Sequence, residues 1–114
     1  MKQPEFFRAL GDETRLRALL LMGEEELCVC ELVHALNISQ PKISRHMATM
    51  REAGIVQSRR RAQWVFYFIN PSLTDWQRQV ITAVIAGGQG EAIAKKDKNR
   101  LAQMKNRPER CDPV

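Results

Sequence analysis

The stretch ISQPKISRHMATMREAGIV, residues 38–56, restricts the fold more than any other part of the chain. Ser39 is a favourable N-cap, Pro41 falls in a first turn that tolerates its missing N–H, and Gly54 offers the left-handed stop, so the segment predicts one helix of about four turns. Ile43, Met47 and Met50 recur at helical spacing on one face, and Pro41, Lys42, Arg45 and Thr49 fall on the opposite one. The core side is apolar; the outward side is small, polar and basic, which suits a DNA major groove. In isolation such a helix is more often a surface helix with solvated charges. Its neighbours reverse those odds.

The net charge is +5 and the isoelectric point about 9.5. Its location matters more than its size: between residues 39 and 63, Lys42, Arg45, Arg51, Arg59, Arg60 and Arg61 face Glu52 alone. A basic patch confined to one stretch is the footprint of a polyanionic partner, most often nucleic acid. With 114 residues, 44% of them hydrophobic, the chain is expected to be one domain with a modest core, of the size that often gains stability by dimerising. No apolar run approaches the roughly 20 residues that span a bilayer, and MKQPEFF has no signal-peptide core, so a cytoplasmic protein with no membrane partner is expected. Three cysteines, two of them one residue apart, make a poor disulfide scaffold and are better read as thiols available for chemistry or metal.

In chain order, residues 4–10 form a short apolar helix with Phe6, Phe7 and Leu10, and Asp12 caps a second helix running to about Met22, with Leu16, Leu19 and Leu20 inward and Arg15 and Arg17 outward. A third helix, from Leu27 or Cys28 to Leu36, carries Val29, Leu32, Val33 and Leu36 on its buried stripe. The short turn Asn37-Ile38-Ser39 joins it to the basic helix as a helix-turn-helix. Residues 55–60 and 64–69 are β-branched and aromatic and read as a hairpin, a wing whose tip brings Arg59, Arg60 and Arg61 to phosphate or a minor groove. Asn70 and Pro71 then start a last helix with a broad apolar face of Leu73, Trp76, Val80, Ile81, Val84 and Ile85. With the Phe-rich first helix, that face is expected to form a two-fold dimer interface through Phe6, Phe7, Leu73, Trp76, Val80 and Val84, setting two recognition helices about one DNA turn apart. The expectation is thus a mainly α chain with a β-hairpin (α+β), a dimeric winged helix-turn-helix over residues 1–88. A mobile basic tail is expected over 89–114, where only Ile93, Leu101 and Met104 offer burial.

Across residues 4–85 the chain resembles the ArsR/SmtB family, the arsenic- and metal-responsive winged-helix repressors. The resemblance is carried by ELCVCEL at 26–32, SQPKISRH at 39–46 and REAGIV leading into an arginine-rich wing. It implies a repressor of double-stranded operator DNA, with Ser39, Gln40, Lys42, Ser44, Arg45 and His46 reading or positioning the operator and the first and last helices forming the homodimer. Gln bonds adenine in pairs and Arg bonds guanine or phosphate, whereas helical phasing puts His46 at the edge of the outward face.

The resemblance places an inducer site at Cys28 and Cys30, with arsenite or antimonite as ligand and no cofactor needed for folding. Flanking the predicted stripe, both thiols are expected to be accessible, and a helix N-terminus lowers a thiol pKa. Residues two apart on a regular helix point roughly 200° from each other, so both sulfurs reach one ion only if the first turn unwinds. Trivalent arsenic prefers about three sulfurs. Arsenic-responsive relatives often carry a third cysteine where this chain has Val33, which leaves Cys111, an external thiol or nothing as third ligand; an external thiol, with Cys111 dispensable, is the expectation. His34 offers a divalent ion instead, and a cadmium, lead or zinc repressor and a thiol redox switch are the alternatives. The last apolar helix has no His, so the family's interfacial zinc site is not expected. An enzyme lacks any nucleophilic set or βαβ redox pattern here.

Overall fold

The computed structural model describes residues 2–23 and 25–108. Its elements are α1 (Lys2–Leu10), α2 (Glu13–Leu21), β1 (Leu27–Cys28), α3 (Val29–Leu36), α4 (Gln40–Glu52), β2 (Val56–Arg61), β3 (Trp64–Ile69), α5 (Asp75–Gly88) and α6 (Ala92–Gln103). Helix α4 sits where the sequence predicts it, entered at Ser39 and followed by Gly54 at φ +79°, a conformation only glycine adopts freely. Ile43, Met47 and Met50 are fully buried and meet Phe6, Leu19, Leu32, Leu36 and Ile55 in one core. Asn37, at φ 57°, makes the left-handed turn between α3 and α4. The hairpin pairs Val56 with Ile69 through to Arg61 with Trp64 around a two-residue turn, Ala62-Gln63. No described helix is long and apolar enough to cross a membrane.

Four expectations need correction. First, residues 27 and 28 do not begin the third helix. They form β1, antiparallel to β3 with Leu27 opposite Tyr67 and Cys28 opposite Phe66, which gives a sheet of order β1-β3-β2. With the helix starting at Val29, its buried face is Glu31, Leu32, Ala35 and Leu36, while Val29 and Val33 are only half-buried. Second, Asn70 does not cap a helix. Its Oδ1 accepts from Ser72 N–H (2.8 Å) and its Nδ2 donates to Gly54 O (2.8 Å), tying the end of the wing to the turn after α4, and α5 begins only at Asp75. Third, Arg15 and Arg17 turn inward: Arg15 Nε donates to Ala9 O (2.6 Å), and Arg17 Nη2 to Leu36 O (2.9 Å). Fourth, Phe6 and Leu73 lie in the core of this one chain. Of the six residues expected at a dimer interface, Phe7 is exposed and Trp76, Val80 and Val84 are half-buried.

The expected mobile tail is also different. Residues 92–103 form α6, packed on α2 and α3, and residues 109–114, with Cys111, lie outside the described residues. The anchor is Asp97, 1% exposed, whose carboxylate accepts from Arg17 Nε (2.9 Å), Arg17 Nη2 (2.8 Å) and Arg100 Nη2 (2.7 Å). Arg100 Nε also donates to Ala35 O (2.7 Å), so the two arginines together serve carbonyls at the C-terminal end of α3. Close approach helps: a Cβ on Gly88 at the end of α5 would stand 2.8 Å from Leu20 of α2. Removing the carboxylate leaves Arg17 uncompensated in a largely buried site, so Asp97→Ala is expected to cost about 3 to 5 kcal/mol in urea unfolding, with Asp97→Asn costing less.

Candidate nucleic-acid interface and thiol site

Helix α4 divides its polar residues by depth. Gln40, Pro41, Lys42, Arg45 and Thr49 are exposed with Ser39 at the entry, and Ser44 is half-buried beside them. This is a continuous outward strip with two cations, fixed by the buried face beneath it. His46 leaves that strip: it is half-buried, and its Nδ1 accepts from Arg15 Nη1 at 3.0 Å, with Asp12 Oδ2 3.7 Å away. It ties α4 to the start of α2.

The wing arginines part company as well. Arg59 Nε donates to Glu26 Oε2 (2.9 Å), its Nη2 reaches the other carboxylate oxygen, and its guanidinium carbon lies 5.5 Å from the Phe66 ring centroid. It is an internal clamp between β2 and the segment entering β1. Arg60 and Arg61 are exposed near the Ala62-Gln63 turn.

The two cysteines are not alike. Cys28 is 1% exposed, at the junction of β1 and α3, with extended backbone (φ −84°, ψ 165°), while Cys30 is exposed. Because Cys28 is not helical, the 200° separation of two helical positions does not apply to the pair. Burial first, and then the Cys30 thiol, push the Cys28 thiol up to about 12, against the expected lowering at a helix N-terminus. A hydrogen bond from the Glu31 backbone pulls the other way and is outweighed. Glu31, which the sequence reasoning did not single out, is 0% exposed, and its Oε1 accepts from Cys28 N–H at 2.8 Å. The only sequence signal for it was its place three residues after a cap position, the reciprocal bond of a capping box.

Both thiols line a cavity of about 560 Å³ whose other walls are Val29, Val33, His34, Gln40, Gln63, Trp64, Val65 and Met104. It therefore touches the first residue of α4, the turn of the wing and the segment after α6. Among the described residues, no three His, Cys, Asp or Glu side chains converge as a metal site.

Residues 12–58 match the family model described as "Bacterial regulatory protein, arsR family". Over 107 residues the chain is 49% identical to the Arsenic resistance transcriptional regulator ArsR1 of Pseudomonas putida, which covers 93% of this chain and 82% of that relative. The chain belongs to the ArsR family. Another ArsR relative, the Arsenical resistance operon repressor of Escherichia coli, is 47% identical over 78 residues, 68% of this chain and 67% of that one. In fold, the chain matches a homodimeric winged helix-turn-helix DNA-binding domain from Mycobacterium bovis, with a TM-score of 0.65 at 22% identity over 77% of this chain and 81% of that one. As an ArsR-family member this protein is a transcription regulator and not an enzyme.

The thiol environments give a prediction independent of any ligand. The thiolate is the nucleophile, and a raised pKa keeps Cys28 protonated until the pH approaches about 12. Iodoacetamide followed by peptide mapping is expected to label Cys30 first at pH 8. Cys28 labelling should still be climbing well above pH 9, the ordinary thiol value, where a normal thiol has levelled off.

Proposed function

We propose that this protein is a repressor of an arsenic-resistance operon: a homodimer that binds a two-fold-symmetric operator and leaves it when trivalent arsenic or antimony is captured by Cys28 and Cys30. The observation that carries this reading is the shared cavity, because its thiols, the Gln40 end of α4 and the Gln63 turn of the wing line one space. A ligand seated there is in contact with both DNA-reading elements at once. Gln40, Lys42 and Arg45 are the base and phosphate readers of α4, supported by Ser39 and Ser44, with Arg60 and Arg61 contributing phosphate contacts from the wing. Arg59 and His46 act on DNA through the elements they hold.

The dimer interface of this reading is the outer side of α1 and α5. Phe7, 48% exposed, stacks on Trp76 with ring centroids 6.1 Å apart, and the half-buried Val80 and Val84 continue the strip. A partner's matching face covers this apolar surface and pairs the two α4 helices across the operator.

The donor set favours arsenite over a divalent cation. When arsenous acid condenses with two thiols, two As–S bonds form, and each thiol proton leaves with a hydroxyl group as water. A thiol held protonated, like Cys28, is therefore no obstacle. A divalent ion must instead expel that proton from a buried position. The third arsenic position is filled by hydroxide or an external thiol, and Cys111 is not required.

The test is fluorescence anisotropy on a duplex selected from a random-sequence pool. Log affinity is expected to fall steeply with log salt, by about 0.9 per phosphate neutralised, and Arg45→Ala to weaken the selected site by about 1 to 3 kcal/mol. Arsenite is expected to release the duplex from the wild type and from Cys111→Ser but not from Cys30→Ser, whose exposed site keeps DNA affinity intact. Affinity indifferent to salt would overturn the DNA reading. Undiminished arsenite release from Cys30→Ser would overturn the thiol site, and release by cadmium alone would make it a divalent-ion site using His34.

A further inference from the structure

That both thiols line one cavity needs an explanation, since a helix extended one residue earlier would turn them apart. Cys28 is kept out of the helix by three restraints. One is its pairing with Phe66 across the β1–β3 ladder. Another is the bond from its N–H to Glu31 Oε1 (2.8 Å). The third acts on Glu31 itself: Arg107 Nε donates to Glu31 Oε2 at 2.6 Å, and Arg107 Nη2 to Glu25 Oε1 at 3.0 Å. A fully buried carboxylate is costly to hold ionised and in one orientation without a cation on it. Arg107, 76 residues away in sequence, supplies that cation and joins Glu31 to the segment leading into β1.

We infer that Arg107 is a positioning residue of the thiol site: acting through Glu31, it holds Cys28 in the extended cap conformation that lets its thiol share one cavity with that of Cys30. The segment after α6 then belongs to the sensor, and Met104, three residues before Arg107, is already a wall of the same cavity. This rests on the reading of Cys28 and Cys30 as the ligand pair. Preorganisation is where the gain lies, because a ligand bridging two sulfurs that already line one cavity does not have to reshape α3 to bind them. The anchoring of α6 is separate, through Asp97, Arg17 and Arg100 at the other end of α3, so removing the Arg107 side chain leaves the helix docked.

The experiment uses the full chain carrying Cys111→Ser, so that Cys28 and Cys30 are the remaining thiols. The probe is phenylarsine oxide, whose arsenic forms one bond to each of two neighbouring thiols with loss of one water, read by intact mass and by titration, without DNA. Arg107→Ala is expected to lower bridging affinity at least about tenfold and to speed iodoacetamide labelling of Cys28 while leaving that of Cys30 unchanged. Arg107→Lys, which keeps a cation, is expected to recover much of the bridging. Glu31→Gln, which keeps the acceptor for Cys28 N–H but not the charge, is expected to shift both readouts the same way by less. Bridging within about twofold of wild type in Arg107→Ala would overturn the inference. So would equal acceleration of labelling at both thiols with no rescue by Lys, which marks general loosening. If phenylarsine oxide bridges the wild type and Arg107→Ala weakens it, while arsenite fails to release DNA, the positioning role stands and the proposed repressor function falls.

Discussion

Helix α3 has eight residues, and an α-helix leaves about four N–H groups and four carbonyls without internal partners, so nearly all of α3 is helix end. Such a helix has no independent stability in water. It persists because each end is met by a buried carboxylate and guanidinium groups from elsewhere. At the N-terminal end Glu31 takes the Cys28 N–H and is held by Arg107. At the C-terminal end Arg17 and Arg100 donate to Leu36 and Ala35 and share Asp97. Helix α4 rests on α3, and the thiols sit at its first turn, so under the proposed function DNA reading and ligand capture depend on the same short element.

How far the sequence could be read follows from where each residue's partners lie. Helix α4 was legible because its evidence is local: Ser39, Gly54 and the spacing of Ile43, Met47 and Met50 all belong to one stretch, and the structure buries those three side chains completely. The wing was legible for the same reason, although β1, the two-residue strand that completes its sheet, was not, since two residues carry no periodicity. That small omission had a large consequence. Starting α3 at Val29 rather than Leu27 turned the helix, put Glu31 inside, and left Cys28 extended, so that both thiols line one cavity.

Helix α6 was illegible for a different reason. Among Lys95, Lys96 and Lys98, Asp97 looks like a solvated charge, and only the arrival of Arg17, 80 residues distant in sequence, makes its burial tolerable. A pattern of hydrophobic spacing cannot register an element that docks by ion pairs. Arg107 and Glu31 repeat the lesson at the opposite end of α3.

The division of the arginines bears on how a basic chain should be read. Arg15, Arg17, Arg59, Arg100 and Arg107 all donate to groups within the fold, and in the wing Arg59 is committed to Glu26 and Phe66 although it adjoins the exposed Arg60 and Arg61. A net charge of +5 therefore does not describe a uniformly basic surface. The internal pairs cancel charge inside the molecule, and the excess left outside is carried in part by Lys42, Arg45 and Arg60, which are exposed on the strip and wing where a duplex would lie. Pairing inside the fold thus sharpens the field outside it: arginines that hold the reading elements in place take acidic side chains out of contention, and the cations on the outward strip face solvent without acidic residues beside them on α4 until Glu52.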